Sequence, residues 1–155
     1  MSAAGSRSQR SAGFTLLELL VVLAIVAIAS AGVGFAMRDG AQVQLDREAE
    51  RLGALLESAR ARSRVSGVPV FWHATASGFR FEGLAAGELP TQWLDPDTGV
   101  IREGAGDGLV SLWLGPEPII GAQAVLLVSR SQSDRRVRLA TDGVRPFAVQ
   151  TASAP

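Results

Sequence analysis

The chain has 155 residues, enough for one membrane helix and one modest domain, and its 15 Lys+Arg balance its 15 Asp+Glu. Every basic residue is arginine and no strongly basic stripe occurs, so nucleic-acid binding has no support in the composition. Cysteine is absent, which excludes disulfides, thiolate catalysis and zinc–thiolate sites.

The first 37 residues combine a basic leader with an apolar segment. Residues 1–13 are small and polar and carry Arg7 and Arg10 but no acid. The sequence is then apolar from Phe14 to Met37 except for Glu18, and its uncharged part, 19–37, is close to the ~20 residues that span a bilayer. We therefore predict a membrane-spanning helix over 14–37.

An amphipathic pattern continues the helix after Asp39. Apolar residues recur at helical spacing, namely Leu45, Ala49, Leu52, Leu55, Leu56 and Ala59. Charged residues are predicted to form the solvated face, namely Asp46, Arg47, Glu48, Glu50, Arg51, Glu57, Arg60 and Arg62. We predict one helix over about 14–64, with an amphipathic half in 38–66 and a stop at Ser66–Gly67.

The remainder of the chain is predicted to be β-rich. All 7 prolines lie at Pro69 or later. Short strand-like runs separated by turn residues are found at 68–74, 78–83, 109–115, 122–130, 135–143 and 144–150, whereas 83–108 is predicted to be loop. The fold class is therefore α+β: a long N-terminal helix packed on small antiparallel sheets in a domain over 67–150, followed by a flexible tail at 151–155.

The β-rich part carries no recognisable catalytic or metal motif. The one histidine, His73, lies in an apolar run and is interpreted as a packing residue. Trp72, Trp93 and Trp113 are interpreted as core or sheet-face residues. The run 95–99, DPDTG, lacks the ligand spacing of a calcium loop and is interpreted as a plain turn. We predict no enzymatic activity, no catalytic residue, no cofactor and no metal.

Three interpretations fit the N-terminal segment. A secretory signal would be cut after the small-residue run ASA at 29–31, but Glu18 would then lie within its apolar core. An ordinary membrane anchor, with the arginines in the cytoplasm, leaves Glu18 unexplained. The third interpretation rests on the run GFTLLELLVVLAIVAI, which resembles the processing signal of the type IV pilin-like superfamily.

The resemblance implies a defined maturation of this segment. A prepilin peptidase would cut between Gly13 and Phe14, Phe14 would be N-methylated, and the apolar helix would remain in the mature protein. The new amine on Phe14 lies four residues before Glu18, about 6 Å along a helix axis. Pairing with such an amine, its own or a neighbour's, would offset the cost of a membrane carboxylate, and the resemblance implies that Glu18 sets subunit register during assembly.

The later sequence resembles the H-type minor pseudopilins of type II secretion systems. The resemblance is carried by the helix-to-strand junction at 49–72, by GFRFEG with Trp93, and by the ending LATDGVRPFAV. It implies a structural subunit near the tip of the periplasmic pseudopilus, anchored in the inner membrane with its C-terminal domain in the periplasm. Implied partners are other minor pseudopilins, the major pseudopilin, the prepilin peptidase and the inner-membrane assembly platform. A minor type IV pilin remains the alternative.

Overall fold

The computed structural model describes residues 16–103 and 110–150, and within the helix it describes only the backbone of 31–39. The predicted cleavage residues Gly13 and Phe14 and the predicted tail 151–155 lie outside these ranges. The chain divides into two compact units, Met1–Met37 and Arg38–Pro155.

One helix, α1, runs over Leu16–Ser66 and confirms the predicted long helix. Its end is set by Gly67, whose φ of 70° lies in the left-handed region that glycine adopts without a Cβ penalty. The Gly67 amide donates to the Ser63 carbonyl at 2.8 Å, and the Ser63 hydroxyl donates to the Val68 carbonyl at 2.7 Å. These bonds close the last turn and direct the chain into the first strand.

Within residues 38–103 and 110–150, seven strands form two antiparallel sheets. Their bounds are β1 Phe71–Ala74, β2 Phe79–Glu82, β3 Thr98–Ile101, β4 Ser111–Trp113, β5 Gln123–Ser129, β6 Arg136–Thr141 and β7 Ala148–Gln150. The three-stranded sheet has the order β2-β1-β4 and the four-stranded sheet the order β3-β5-β6-β7. The predicted α+β class with small antiparallel sheets is confirmed.

The core of the second unit forms where α1 meets both sheets. The helix contributes a buried stripe that recurs at intervals of three and four residues: Leu45, Ala49, Leu52, Leu56 and Ala59. Both sheets contribute to the same cluster, with Trp72, Phe79 and Leu112 from one and Val125, Leu127, Val137 and Leu139 from the other. The predicted apolar positions are therefore core positions, with Leu55 at the partly buried margin.

Two predictions about this unit were wrong. Glu48 and Arg60, assigned to the solvated face, are only 1% and 2% exposed. The stretch 83–108, predicted as loop, contains strand β3, which pairs along β5 from Thr98↔Ser129 to Ile101↔Leu126. The strand was missed because Gly99 and the preceding DPD run obscure the β propensity of Thr98, Val100 and Ile101.

The free edge of β4 is bonded by a side chain from the other sheet. The Trp113 amide donates to the Gln123 Oε1 at 2.7 Å, and the Gln123 Nε2 donates to the Trp113 carbonyl at 2.8 Å. The side-chain amide thus makes the two bonds that a neighbouring strand would make. Because Gln123 begins β5, these bonds also tie the two sheets together.

Candidate functional site

The N-terminal part of α1 holds the one predicted site residue that the structure describes. Glu18 lies in the first turn of the helix, where a carboxylate interacts favourably with the positive end of the helix dipole. The other predicted site residues, Gly13 and Phe14, precede the described residues. The cleavage, methylation and charge-pairing roles of Gly13, Phe14 and Glu18 therefore stay predictions.

Residues 16–30 present an apolar surface on every side of the helix. Ten large apolar side chains from Leu16 to Ile28 are each 45–78% exposed. An exposed apolar surface of this extent is typical of a segment that other protein or lipid covers. Across residues 16–103 and 110–150, no helix combines the length and the apolar character needed to cross a membrane.

In the second unit, Glu48 fastens one flank of α1 to the segment before β3. Its Oε2 accepts from the Leu94 amide at 2.6 Å and from the Asp95 amide at 3.4 Å. Its Oε1 is 3.0 Å from the Arg51 Nη1, and Arg51 also donates to the Gln92 carbonyl at 3.1 Å. These bonds satisfy the buried carboxylate and fix residues 92–95 against the helix.

Glu57 and Arg60 fasten another part of α1 to the segments before β5 and β7. The Phe147 amide, just before β7, donates to the Glu57 Oε1 at 3.1 Å. The Arg60 Nη2 donates to the carbonyls of Pro118 at 3.0 Å and Gly143 at 2.8 Å, and its Nη1 lies 3.7 Å from the Glu57 Oε1.

The positions of the two carboxylates in the helix explain why they bind different segments, one before β3 and one before β7. Glu48 and Glu57 are nine residues apart, which at 3.6 residues per turn places them about 180° apart around the helix axis. Each is followed three residues later by an arginine that it contacts. The arrangement holds the β-rich domain on both flanks of the helix and has no evident catalytic chemistry.

A third polar cluster, around Asp97, joins β3 to the end of β5. Asp97 accepts hydrogen bonds from the Ser129 hydroxyl at 2.5 Å, the Ser131 hydroxyl at 2.8 Å and the Ser131 amide at 3.0 Å. The hydrogen bond from Ser129 is the main cause that lowers the pKa of the Asp97 carboxyl. The bonds from Ser131 and the charge of Arg130 lower it further, whereas desolvation raises it. These bonds show how the DPDTG run is fixed to the neighbouring strand.

The remaining residues considered from the sequence have packing or surface positions. Trp72 and Trp93 are in the core, whereas Trp113 lies on the outer face of its sheet. The His73 Nε2 is 3.1 Å from the Glu82 Oε2, a contact on the same outer face. Within the described part of the chain, no group of three or more His, Cys, Asp or Glu residues could hold a metal ion.

Sequence reasoning missed the structural roles of Glu48, Glu57 and Arg60. One signal was present: each Glu-x-x-Arg pair flanks the apolar stripe instead of lying opposite it. Their partners are main-chain groups 46 to 90 residues away, however, and no local pattern indicates those.

Two comparisons with known proteins found similarity to parts of this chain. Residues 8–34 match the prokaryotic N-terminal methylation motif, which covers Gly13, Phe14 and Glu18. Type II secretion system protein H of Escherichia coli (strain K12) is 40% identical over 83 residues, which are 52% of this chain and 48% of that protein. The chain thus spans about half the length of the curated relative, and no solved structure matches it significantly. The two matches confirm the resemblance to H-type pseudopilins.

Proposed function

We propose that this chain is an H-type minor pseudopilin: a non-enzymatic structural subunit at or near the tip of the periplasmic pseudopilus of a type II secretion system. The observation that carries the proposal is the N-terminal methylation motif at 8–34, which includes the exposed apolar part of the helix at 16–30. The similarity to protein H of E. coli supports the secretion pseudopilins over the minor type IV pilins, which share the motif.

The proposal assigns successive roles to the first 37 residues. Residues 1–13 form a cytoplasmic leader, prepilin peptidase cuts between Gly13 and Phe14, and the new N-terminus on Phe14 is methylated. The segment 14–37 anchors the precursor in the inner membrane, with the β-rich domain in the periplasm. After assembly the same segment lies in the core of the filament.

The exposed apolar surface of 16–30 gives this double use a physical basis. Burying one large apolar side chain contributes about 1.5–3 kcal/mol, and lipid or neighbouring helices can both supply that burial. Transfer of the segment from membrane to filament therefore replaces one apolar environment with another, at little cost in hydrophobic free energy. Glu18 is the charged residue in this segment, and we propose that it pairs with the α-amine of a neighbouring subunit.

The proposed partners follow from the same arrangement. Other minor pseudopilins and the major pseudopilin bind the apolar helix and the periplasmic domain. The prepilin peptidase and the inner-membrane assembly platform act on the membrane-embedded precursor. Since the chain adds no active site of its own in this proposal, the force for export comes from the growing assembly.

The proposed function is tested by deleting the chain and measuring protein export in the same cells. We expect export of type II substrates to fall while twitching and DNA uptake continue. The opposite pattern would support a minor type IV pilin. Mass spectrometry of the purified protein should show methylated Phe14 as the first residue, whereas a first residue at Gly32 would identify a cleaved secretory signal.

Glu18→Ala tests the assembly role separately from maturation. We expect normal cleavage and membrane insertion but poor incorporation into the pseudopilus, because the register-setting charge is lost. Glu50→Ala is the matched control, since it removes an exposed carboxylate outside the N-terminal segment. Normal incorporation of the Glu18→Ala protein would contradict the charge-pairing role.

A further inference from the structure

The outer face of the three-stranded sheet carries an aromatic row. In the registers of β1 with β2 and β4, Phe71 is opposite both Glu82 and Trp113. The row Glu82–Phe71–Trp113 therefore crosses the whole sheet. Because side chains alternate between the two faces of a strand, the neighbours Trp72 and Leu112 point into the core while this row faces outward.

The aromatic row is exposed and yet held in place. Phe71 is 37% and Trp113 40% exposed. The Trp113 Nε1 donates to the Gly115 carbonyl at 2.8 Å, which fixes the indole ring. Phe71 stacks on His73 with ring centroids 6.2 Å apart, and His73 in turn contacts Glu82 at 3.1 Å. Fixed, exposed aromatic side chains lose little conformational entropy on binding, and such residues dominate the affinity of protein interfaces.

The charge beside the aromatic row indicates the chemistry of its partner. Glu82 ends the row next to Phe71, and its side chain is mostly exposed although one carboxylate oxygen contacts His73. Aromatic faces and a carboxylate together favour a cationic side chain with an apolar stem. Arg80 lies in the next outward row, opposite His73 and two residues from Glu82 on the same strand, so its charge disfavours a cation in that row and keeps it to the row of Phe71.

We propose that this outer face, defined by Phe71, Trp113 and Glu82, is a docking surface for a different pseudopilin subunit. That subunit places an arginine or lysine over the aromatic pair and against Glu82. The inference rests on the proposed function for the identity of the partner. It concerns a periplasmic contact, separate from the N-terminal helix that forms the filament core.

Site-specific photo-crosslinking in cells that export protein tests the contact with the full-length chain. A photoreactive phenylalanine derivative replaces Trp113 in one strain and Val144, an exposed residue between β6 and β7, in a control strain. We expect position 113 to crosslink to another pseudopilin, through a peptide that contains arginine or lysine, and position 144 not to. Equal crosslinking at both positions, crosslinking to a second copy of this chain, or a crosslinked peptide without a basic residue would each overturn the proposal.

Two variants then separate the aromatic and the charged contributions. With a crosslinker placed at Phe71, we expect Trp113→Ala to lower the crosslink yield by ~10-fold or more and Glu82→Gln by a few-fold. Glu50→Gln is the control for loss of a surface carboxylate. Thermal unfolding of each purified variant checks that the domain is folded, and unchanged yields in folded variants would overturn the docking surface. Loss of export on deletion of the chain, with normal export in Trp113→Ala, would reject this surface and leave the proposed function standing.

Discussion

Glu48→Ala is the most direct test of how the β-rich domain is held on the helix. The substitution removes the acceptor for the Leu94 amide at 2.6 Å, the Asp95 amide at 3.4 Å and the Arg51 guanidinium at 3.0 Å. A buried polar group left unpaired costs ~1–3 kcal/mol, and the Leu94 amide is the best placed of the three. Arg51 is partly exposed, so water compensates part of its loss. We therefore expect the free energy of unfolding to fall by ~3 kcal/mol.

This loss is large against the ~5–15 kcal/mol that stabilises a typical domain, and it corresponds to a fall in Tm of about 10 °C. Thermal and urea unfolding of the mature full-length chain in mild detergent, followed by circular dichroism, measures it. Glu50→Ala is the matched control, because Glu50 is exposed on the same helix, and its effect should stay within ~0.5 kcal/mol. If the two alanine variants unfold alike, Glu48 does not fasten residues 92–95 to the helix.

Three further predictions concern the same domain. Arg60→Met should lower the free energy of unfolding by ~2 kcal/mol in urea titrations, because the buried Gly143 carbonyl and the Pro118 carbonyl each lose the charged donor of Arg60. Arg47→Met on the exposed face should change it little. Gly143→Ala should cost more than ~1 kcal/mol, since its φ is +92° and a Cβ would lie 1.8 Å from the Ile120 oxygen. A Cβ at Gly40 would meet open space, so Gly40→Ala should instead stabilise the helix by up to ~1 kcal/mol. Equal melting temperatures for the two glycine variants would contradict the different requirements for glycine at these two positions. Because the pKa of Asp97 is lowered in the folded state, its carboxylate stabilises the fold at a pH above the unfolded-state pKa. This contribution is lost as the pH falls through the lower, folded-state pKa. Urea titrations between about pH 6 and 2 should therefore show a smaller acid-induced loss of stability for Asp97→Asn than for the natural chain.

The helix and most strands were predictable because their signals are local. Apolar residues from Leu45 to Ala59 repeat at helical spacing, and turn residues such as TAS and SQSD separate the strands that pair in β1–β2 and β5–β6. Strand β3 was missed because it is held from outside its own sequence. The hydrogen bonds between Asp97 and Ser129 and Ser131 attach it to a strand that begins more than twenty residues later.

The candidate sites divide in the same way. The N-terminal methylation motif is a contiguous run that contains Gly13, Phe14 and Glu18, so it can be recognised from the sequence alone. The aromatic docking surface depends on strand register, which brings Phe71 and Trp113 together from opposite ends of a 42-residue interval. The burial of Glu48 depends on main-chain amides that no residue pattern identifies.

The hydrogen bonds between the Gln123 side chain and the Trp113 main chain protect this chain against aggregation through an open strand edge. If the proposed function holds, identical β-rich domains are crowded together, and open strand edges could join them into amyloid-like stacks. Here the main-chain donor and acceptor at Trp113 are already used within the molecule, so an incoming strand would first have to displace an intramolecular amide. In the proposed pseudopilin, protection of this edge would leave ordered growth to the helical segment and would separate productive polymerisation from aggregation within a single subunit.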